Sequence, residues 1–192
     1  MSLRVTMNQS PDPFTIRPAT LADLAVLQRL VADSVWVLQA GEYSDAQREA
    51  AIRLVYGVDT QLISDGTYFA VEHNGEIVAC GGWSRRKTLF GGDQHSPSRE
   101  PELLDPVREP ARIRAFFVKP GWERRGIGSR LVRACEQSAL AEGFHQIEMA
   151  STLTGVALYS AHGYREVERI DVPLEHGLTL PVIRMTKTFA SL

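Results

Sequence analysis

The residues best placed to do chemistry lie in one run, Val118-Lys119-Pro120-Gly121-Trp122-Glu123-Arg124-Arg125-Gly126-Ile127-Gly128-Ser129. An apolar stretch, Ile113 to Val118, leads into it, and helical apolar spacing follows from Gly126. The pattern predicts a strand, a short basic turn and a helix opening on two glycines. A helix N-terminus exposes N–H groups that have no intrahelical partner and carries the positive end of the helix dipole. Glycine lets an anion approach that backbone closely, and Arg124 and Arg125 bring two cations to the same turn. The chemistry this implies is capture of a phosphate or pyrophosphate. A dinucleotide fingerprint, Gly-x-Gly-x-x-Gly, is not completed, because position 131 is Leu.

The elements that must position this run can be read on either side. Phe14-Thr15-Ile16-Arg17 alternates as a short strand, and Thr20 with Asp23 forms a variant of the capping box. Leu24, Leu27, Leu30, Val31 and Val35 then keep helical spacing, and a second helix is predicted from Ser44 through Tyr56. Gly66–Glu72 and Glu76–Trp83 read as a hairpin around Asn74-Gly75. After the strand 111–118 and the helix 126–142, Gly143 fits a helix C-cap. A strand at 145–150, a short helix at 154–162 and an antiparallel pair at 164–171 and 181–188 complete the order. It describes an α/β chain with a mixed sheet and helices on both faces. Residues 1–13 read as a flexible arm and 14–192 as one domain, within which 85–110, with Gly91-Gly92 and four prolines, is a long loop.

Composition narrows the function. A net charge of −2 over 192 residues gives no electrostatic support for a nucleic-acid or membrane-surface role. No apolar run approaches the ~20 residues that span a bilayer, and the first residues lack the apolar core of a signal peptide. Cys80 and Cys135 lie in apolar segments, as expected of reduced thiols, so a cytoplasmic setting is expected. The five histidines are scattered without metal-ligand spacing, and no metal is expected.

Val118-x-Pro120 followed by Gly126-x-Gly128 resembles the acyl-CoA-binding motif of the GNAT N-acetyltransferase superfamily. Ala157-Leu158-Tyr159-Ser160-Ala161-His162-Gly163-Tyr164 is similar to that family's downstream Leu-Tyr-x-x-x-Gly-Phe/Tyr signature, and Ile16-Arg17-Pro18 and Met185-Thr186-Lys187 also fit, so the resemblance spans roughly 14–188. Three positions depart from the pattern: Glu123 where Arg or Gln is common, Thr152 where Asn is common, and Arg112 near the place of a catalytic Glu.

The resemblance implies a mixed, mostly antiparallel central sheet of about seven strands. It implies acetyl-CoA as co-substrate, direct attack by an amine in a ternary complex, and an acceptor that is a small-molecule or protein amine. Family members often form homodimers. The coenzyme pyrophosphate would sit on Arg124, Arg125, Gly126, Ile127, Gly128 and Ser129, the pantetheine arm beside Phe116, Phe117, Val118 and Thr152, and the thioester near Tyr159. Tyr159 would protonate the departing thiolate, since a thiol titrates near ~8.5 and a tyrosine near ~10. Candidates for the base that takes the amine proton are Glu148 and Glu109, with His95 third; Tyr43 and Trp83 are candidates for the acceptor side. A non-catalytic acyl-CoA binding module of the same fold is the alternative.

Overall fold

The structure is a computed structural model that describes residues 13–87 and 102–190. All of the N-terminal arm but Pro13, most of the long loop and His95 lie outside the described residues. The elements are β1 (Thr15–Pro18), α1 (Leu24–Leu38), α2 (Asp45–Leu54), α3 (Thr60–Ser64), β2 (Tyr68–His73), β3 (Glu76–Ser84), β4 (Ala111–Val118), α4 (Ile127–Ala141), β5 (Gln146–Thr152), α5 (Val156–Ala161), β6 (Arg165–Pro173) and β7 (Thr179–Thr188). One seven-stranded sheet runs in the order β1-β2-β3-β4-β5-β7-β6. Every neighbouring pair is antiparallel except β4 and β5.

Local chemistry accounts for most of these elements. Asn74 and Gly75 both adopt left-handed φ, 51° and 81°, the backbone a two-residue hairpin turn needs. Helix α1 buries Leu27, Leu30, Val31, Ser34 and Val35, one stripe at helical spacing. Helix α4 does the same with Ile127, Leu131, Val132, Cys135 and Ala139. The two helices cover opposite faces of the sheet: Phe117 packs with the α1 cluster, while Phe116 and Val118 pack with that of α4. Strand β3, between them, is buried from Ile77 to Ser84.

Two features were not foreseen. The second helix stops at Leu54, and a separate turn of helix, α3, starts at Thr60 behind an Asp59 cap that accepts from the Gln61 N–H at 2.9 Å. The loop 85–110 is also pinned at its base, where Leu104 N–H donates to Arg85 O at 2.8 Å and Lys87 N–H to Glu102 O at 3.0 Å.

Where β3 meets β4, the register jumps: Cys80 faces Phe117 and Gly82 faces Arg114, so Ala115 and Phe116 together oppose Gly81. Ala115 takes φ 55° to make this bulge. The two glycines make room for it. A Cβ on Gly81 would lie 2.5 Å from Phe116 Cδ2, and one on Gly82 would lie 2.5 Å from Thr67 O. On the other side of β4, pairing with β5 is limited to Ala111 with Ile147 and Arg112 with Glu148. Beyond those pairs the two strands part, and the edge of β4 from Ile113 to Val118 has no ladder partner on β5.

Ion pairs brace the β1 side of the sheet and set its response to acid. Arg17 Nη1 lies 2.8 Å from Asp23 Oδ2 and holds that carboxyl well below the usual range. Arg86, at 2.8 Å, depresses Asp65 in the same way. A carboxylate with a depressed folded pKa contributes its full stabilisation above its unfolded value of ~3.9 and loses it as the pH falls toward the folded value. The urea midpoint is therefore expected to fall as the pH drops below about 4, less steeply in Asp65→Asn than in the parent, with unfolding followed by circular dichroism.

Candidate active site

The parting of β4 and β5 opens a cavity of about 670 Å³ that runs from the N-terminus of α4 to the α1–α2 side of the sheet. Phe116, Phe117 and Val118 form one wall, Thr152 and Gly155 the other, and Gly126, Ile127, Gly128 and Ser129 close the α4 end.

The α4 end is shaped by backbone rather than by side chains. Gly121, Arg124 and Gly126 all take left-handed φ, at 84°, 62° and 78°. Alternation of left-handed and right-handed residues curls successive N–H groups into a concavity that suits an anion. The N-cap of α4 is Gly126, and no side chain caps the helix. In contrast, Ser44 and Asp59 cap α2 and α3. The first N–H groups of α4 thus face the cavity with the helix dipole behind them. A left-handed conformation at a non-glycine such as Arg124 costs about 1–3 kcal/mol. Gly128 also admits close helix packing, since a Cβ there would sit 2.9 Å from Leu158 Cδ2 on α5.

The predicted residues divide by position. Arg124 lines the cavity, whereas the Arg125 side chain turns away, its guanidinium 4.7 Å over the Trp122 ring and Nη2 donating to Gly121 O at 3.1 Å. Arg125 braces the turn. Trp122, with no role of its own assigned from the sequence, lines the cavity beside Arg124, and so does Glu123. Tyr159 stands on the wall with its ring 6.0 Å from Phe116 and 5.9 Å from Tyr164. Burial, and then Cys135, push its hydroxyl well above the ordinary tyrosine value. Tyr159 therefore keeps its proton more firmly than a free tyrosine, whose value is ~10.

Neither carboxylate expected to act as base reaches the cavity wall. Glu148 lies where β4 and β5 are still paired, so its side chain meets Arg112, with Arg184 Nη1 at 3.5 Å on its other oxygen. Glu109 Oε2 accepts the Asp105 N–H at 2.8 Å and closes a turn below β4. Tyr43 is also committed elsewhere: its hydroxyl donates to Pro181 O at 2.7 Å and accepts from Leu153 N–H at 2.9 Å, tying the α1–α2 link to β7. Trp83 is fully buried against Phe144 on the α4 side. Burial pushes the Cys80 thiol up to about 12 and raises that of Cys135 as well, so neither is a nucleophile at neutral pH.

The far half of the cavity carries residues that the sequence left unassigned. Ser34 and Leu38 come from α1 and Gln39 from its C-cap, Val55 and Tyr56 from the α2–α3 link, and Leu180 and Val182 from β7. Arg114 lines this half and pairs with Asp59 Oδ2 at 2.8 Å. No group of potential metal ligands occurs among the described residues, and no helix among them is long and apolar enough to cross a membrane.

The sequence model of the acetyltransferase (GNAT) family matches residues 32–164. No curated protein matches the chain. Among solved structures, a GCN5-related N-acetyltransferase from Rhodopseudomonas palustris superposes with a TM-score of 0.68 at 20% identity, over 93% of this chain and 97% of that one. The PaiA N-acetyltransferase from Thermoplasma acidophilum, solved in complex with coenzyme A, gives 0.63 at 15% identity over 92% and 99%. Salmonella typhimurium yncA, solved with its cofactor acetyl-CoA, gives 0.62 at 16% identity over 94% and 96%. These likenesses establish a shared fold. With the family match across most of the chain, including the split strands and the uncapped helix, they lead to one conclusion: the chain belongs to the GNAT family of acetyltransferases and is an acyltransferase that uses acetyl-CoA.

Proposed function

We propose that the protein transfers the acetyl group of acetyl-CoA to a primary amine within one ternary complex. The observation that carries this reading is the junction of the β4–β5 split with the uncapped N-terminus of α4, Tyr159 standing on the same cavity wall. The residues there fit coenzyme A. The N–H groups of Gly126 to Ser129 and the Arg124 side chain take the pyrophosphate, and Arg125 holds their turn in shape. The unpaired edge of β4 at Phe116 to Val118 offers backbone hydrogen bonds to the pantetheine amides, with Thr152 opposite.

When bound, the coenzyme supplies an acyl thioester activated toward an amine. Tyr159 delivers a proton to the sulfur as it leaves, and a β4 backbone N–H near Phe117 or Val118 stabilises the developing oxyanion. Holding donor and acceptor side by side contributes up to about 7–11 kcal/mol to lowering the barrier.

Calorimetric titration with acetyl-CoA, with NAD as control, tests the reading. Micromolar binding of acetyl-CoA alone is expected, together with a loss of about ten- to a hundredfold in Arg124→Ala, which removes a charge-assisted contact to the pyrophosphate worth about 1.5–3 kcal/mol. Equal binding of NAD, or none of acetyl-CoA, would overturn it. Glu123 faces the same end of the cavity and opposes an anion. Glu123→Gln is therefore expected to tighten acetyl-CoA binding by about three- to tenfold, with a gain that shrinks as salt rises. Unchanged affinity would mean that the carboxylate points away from the phosphates.

A further inference from the structure

Resting on the acetyl-transfer reading, the acceptor half of the cavity describes the amine it receives. Leu38, Val55, Leu180 and Val182 give this half an aliphatic wall, and three of the four belong to a buried cluster that links the α2 side to β7. Tyr56 adds an aromatic surface, its ring set edge-on to Phe117 at 5.7 Å. Burial keeps the Tyr56 hydroxyl well above its ordinary value and hence neutral. Ser34 and Gln39 add uncharged polar groups.

The ionic side chain on this wall is a cation. Arg114 pairs with Asp59 at 2.8 Å, and the two side chains are only 6% and 12% exposed. Among the described residues the carboxylate that lines the cavity is Glu123, which belongs to the β4–α4 turn at the other end. An ammonium entering the acceptor half would exchange water for aliphatic side chains, with the Asp59 carboxylate already paired to Arg114, and desolvating a charge without a counter-charge is strongly unfavourable. A Lys-like amine, with a pKa of ~10.4, is unprotonated in only about one molecule in 2,500 at pH 7. Glu148 and Glu109, held at Arg112 and Asp105, are not on the wall to take its proton. An amine that is already neutral in water meets neither obstacle, and a flat one gains stacking area on Tyr56.

We infer that the acceptor is an apolar amine of low basicity, uncharged at neutral pH, of the arylamine class. Its nitrogen forms the new N–C bond as the C–S bond breaks, and the proton it loses balances the one the sulfur gains.

The test measures thiol release and acetylated product at saturating acetyl-CoA for a set of substituted anilines, for benzylamine as a basic amine of equal size, and for spermidine as a polycation. At pH 7, kcat/KM for the best aniline is expected to exceed that for benzylamine by at least about tenfold. From about pH 7 to about 9 the aniline value should stay flat, while that of benzylamine climbs nearly tenfold per unit as its free base forms. Gln39→Glu, nearly isosteric, puts a carboxylate on the wall and should shift the ratio toward benzylamine by about tenfold. Preference for spermidine or benzylamine at pH 7, or failure to acetylate any aniline while calorimetry records bound acetyl-CoA, would overturn the inference and leave acetyl transfer standing. No acetyl-CoA binding would remove both.

Discussion

Tyr159→Phe is expected to lower kcat by ~10²–10⁴, the usual contribution of a positioned general acid, while acetyl-CoA affinity stays within about twofold of the parent. The split between these two readings follows from the surroundings of the ring. Tyr159 is 6% exposed and wedged between Phe116 and Tyr164, and a Cβ on neighbouring Gly155 would come within 3.2 Å of its Cε2. A phenylalanine fills the same space, so the cavity keeps its shape and only the hydroxyl is lost. Burial raises that hydroxyl above its reference of ~10, so it stays protonated through neutral and mildly alkaline pH. The parent enzyme should accordingly show no loss of kcat from Tyr159 ionisation below about pH 10. Thiol release followed against pH, alongside calorimetry, checks both points. A Phe variant that turns over like the parent would mean the proton reaches the sulfur by another route.

Gly82→Ala is expected to cost about 3 kcal/mol or more, the upper end of what over-packing a core causes, and to lower Tm by roughly 6–12 °C for a chain of this size. The added Cβ would lie 2.5 Å from Thr67 O and 2.9 Å from Tyr68 Cα, both backbone atoms of the neighbouring strand region, which cannot rotate aside. Gly81→Ala meets the edge of the Phe116 ring at 2.5 Å instead. A ring can tilt, so the smaller stability loss there should come with weaker acetyl-CoA binding, because Phe116 is a cavity wall. Thermal unfolding of the two variants side by side separates the cases; equal Tm values would show that the β3–β4 bulge gives way as a whole.

Much of this site could be read from the sequence because its signals are local. A strand end, a basic turn and Gly-x-Gly at a helix start fall within a dozen residues, and the concavity at Gly121, Arg124 and Gly126 is made by that segment's own backbone. The hairpin at Asn74-Gly75 and the stripe of α4 are legible for the same reason. What stayed hidden depends on register between distant strands. Glu148 looks like an accessible strand carboxylate until β4 is laid beside β5 and brings Arg112 opposite it. Ala115 carries no local sign of its left-handed φ, and the adjoining glycines of β3 read as ordinary strand interior until Phe116 is found above one of them. The acceptor wall is hidden for the same reason, since Leu38, Val55 and Val182 are brought together only by the tertiary fold.

Two pairs of residues, Ala111 with Ile147 and Arg112 with Glu148, make up the entire ladder between β4 and β5. Mechanically the sheet is two plates, β1–β4 and β5–β7–β6, joined along a short seam. A pantetheine arm lying against the β4 edge would act as a clasp between them. The donor molecule would then set the rigidity of its own catalyst: at a hundredfold excess over Kd, any ligand specific for the folded state adds about 2.7 kcal/mol to its stability. Each turnover that releases coenzyme A would briefly undo the clasp and let the plates relax until the next donor binds.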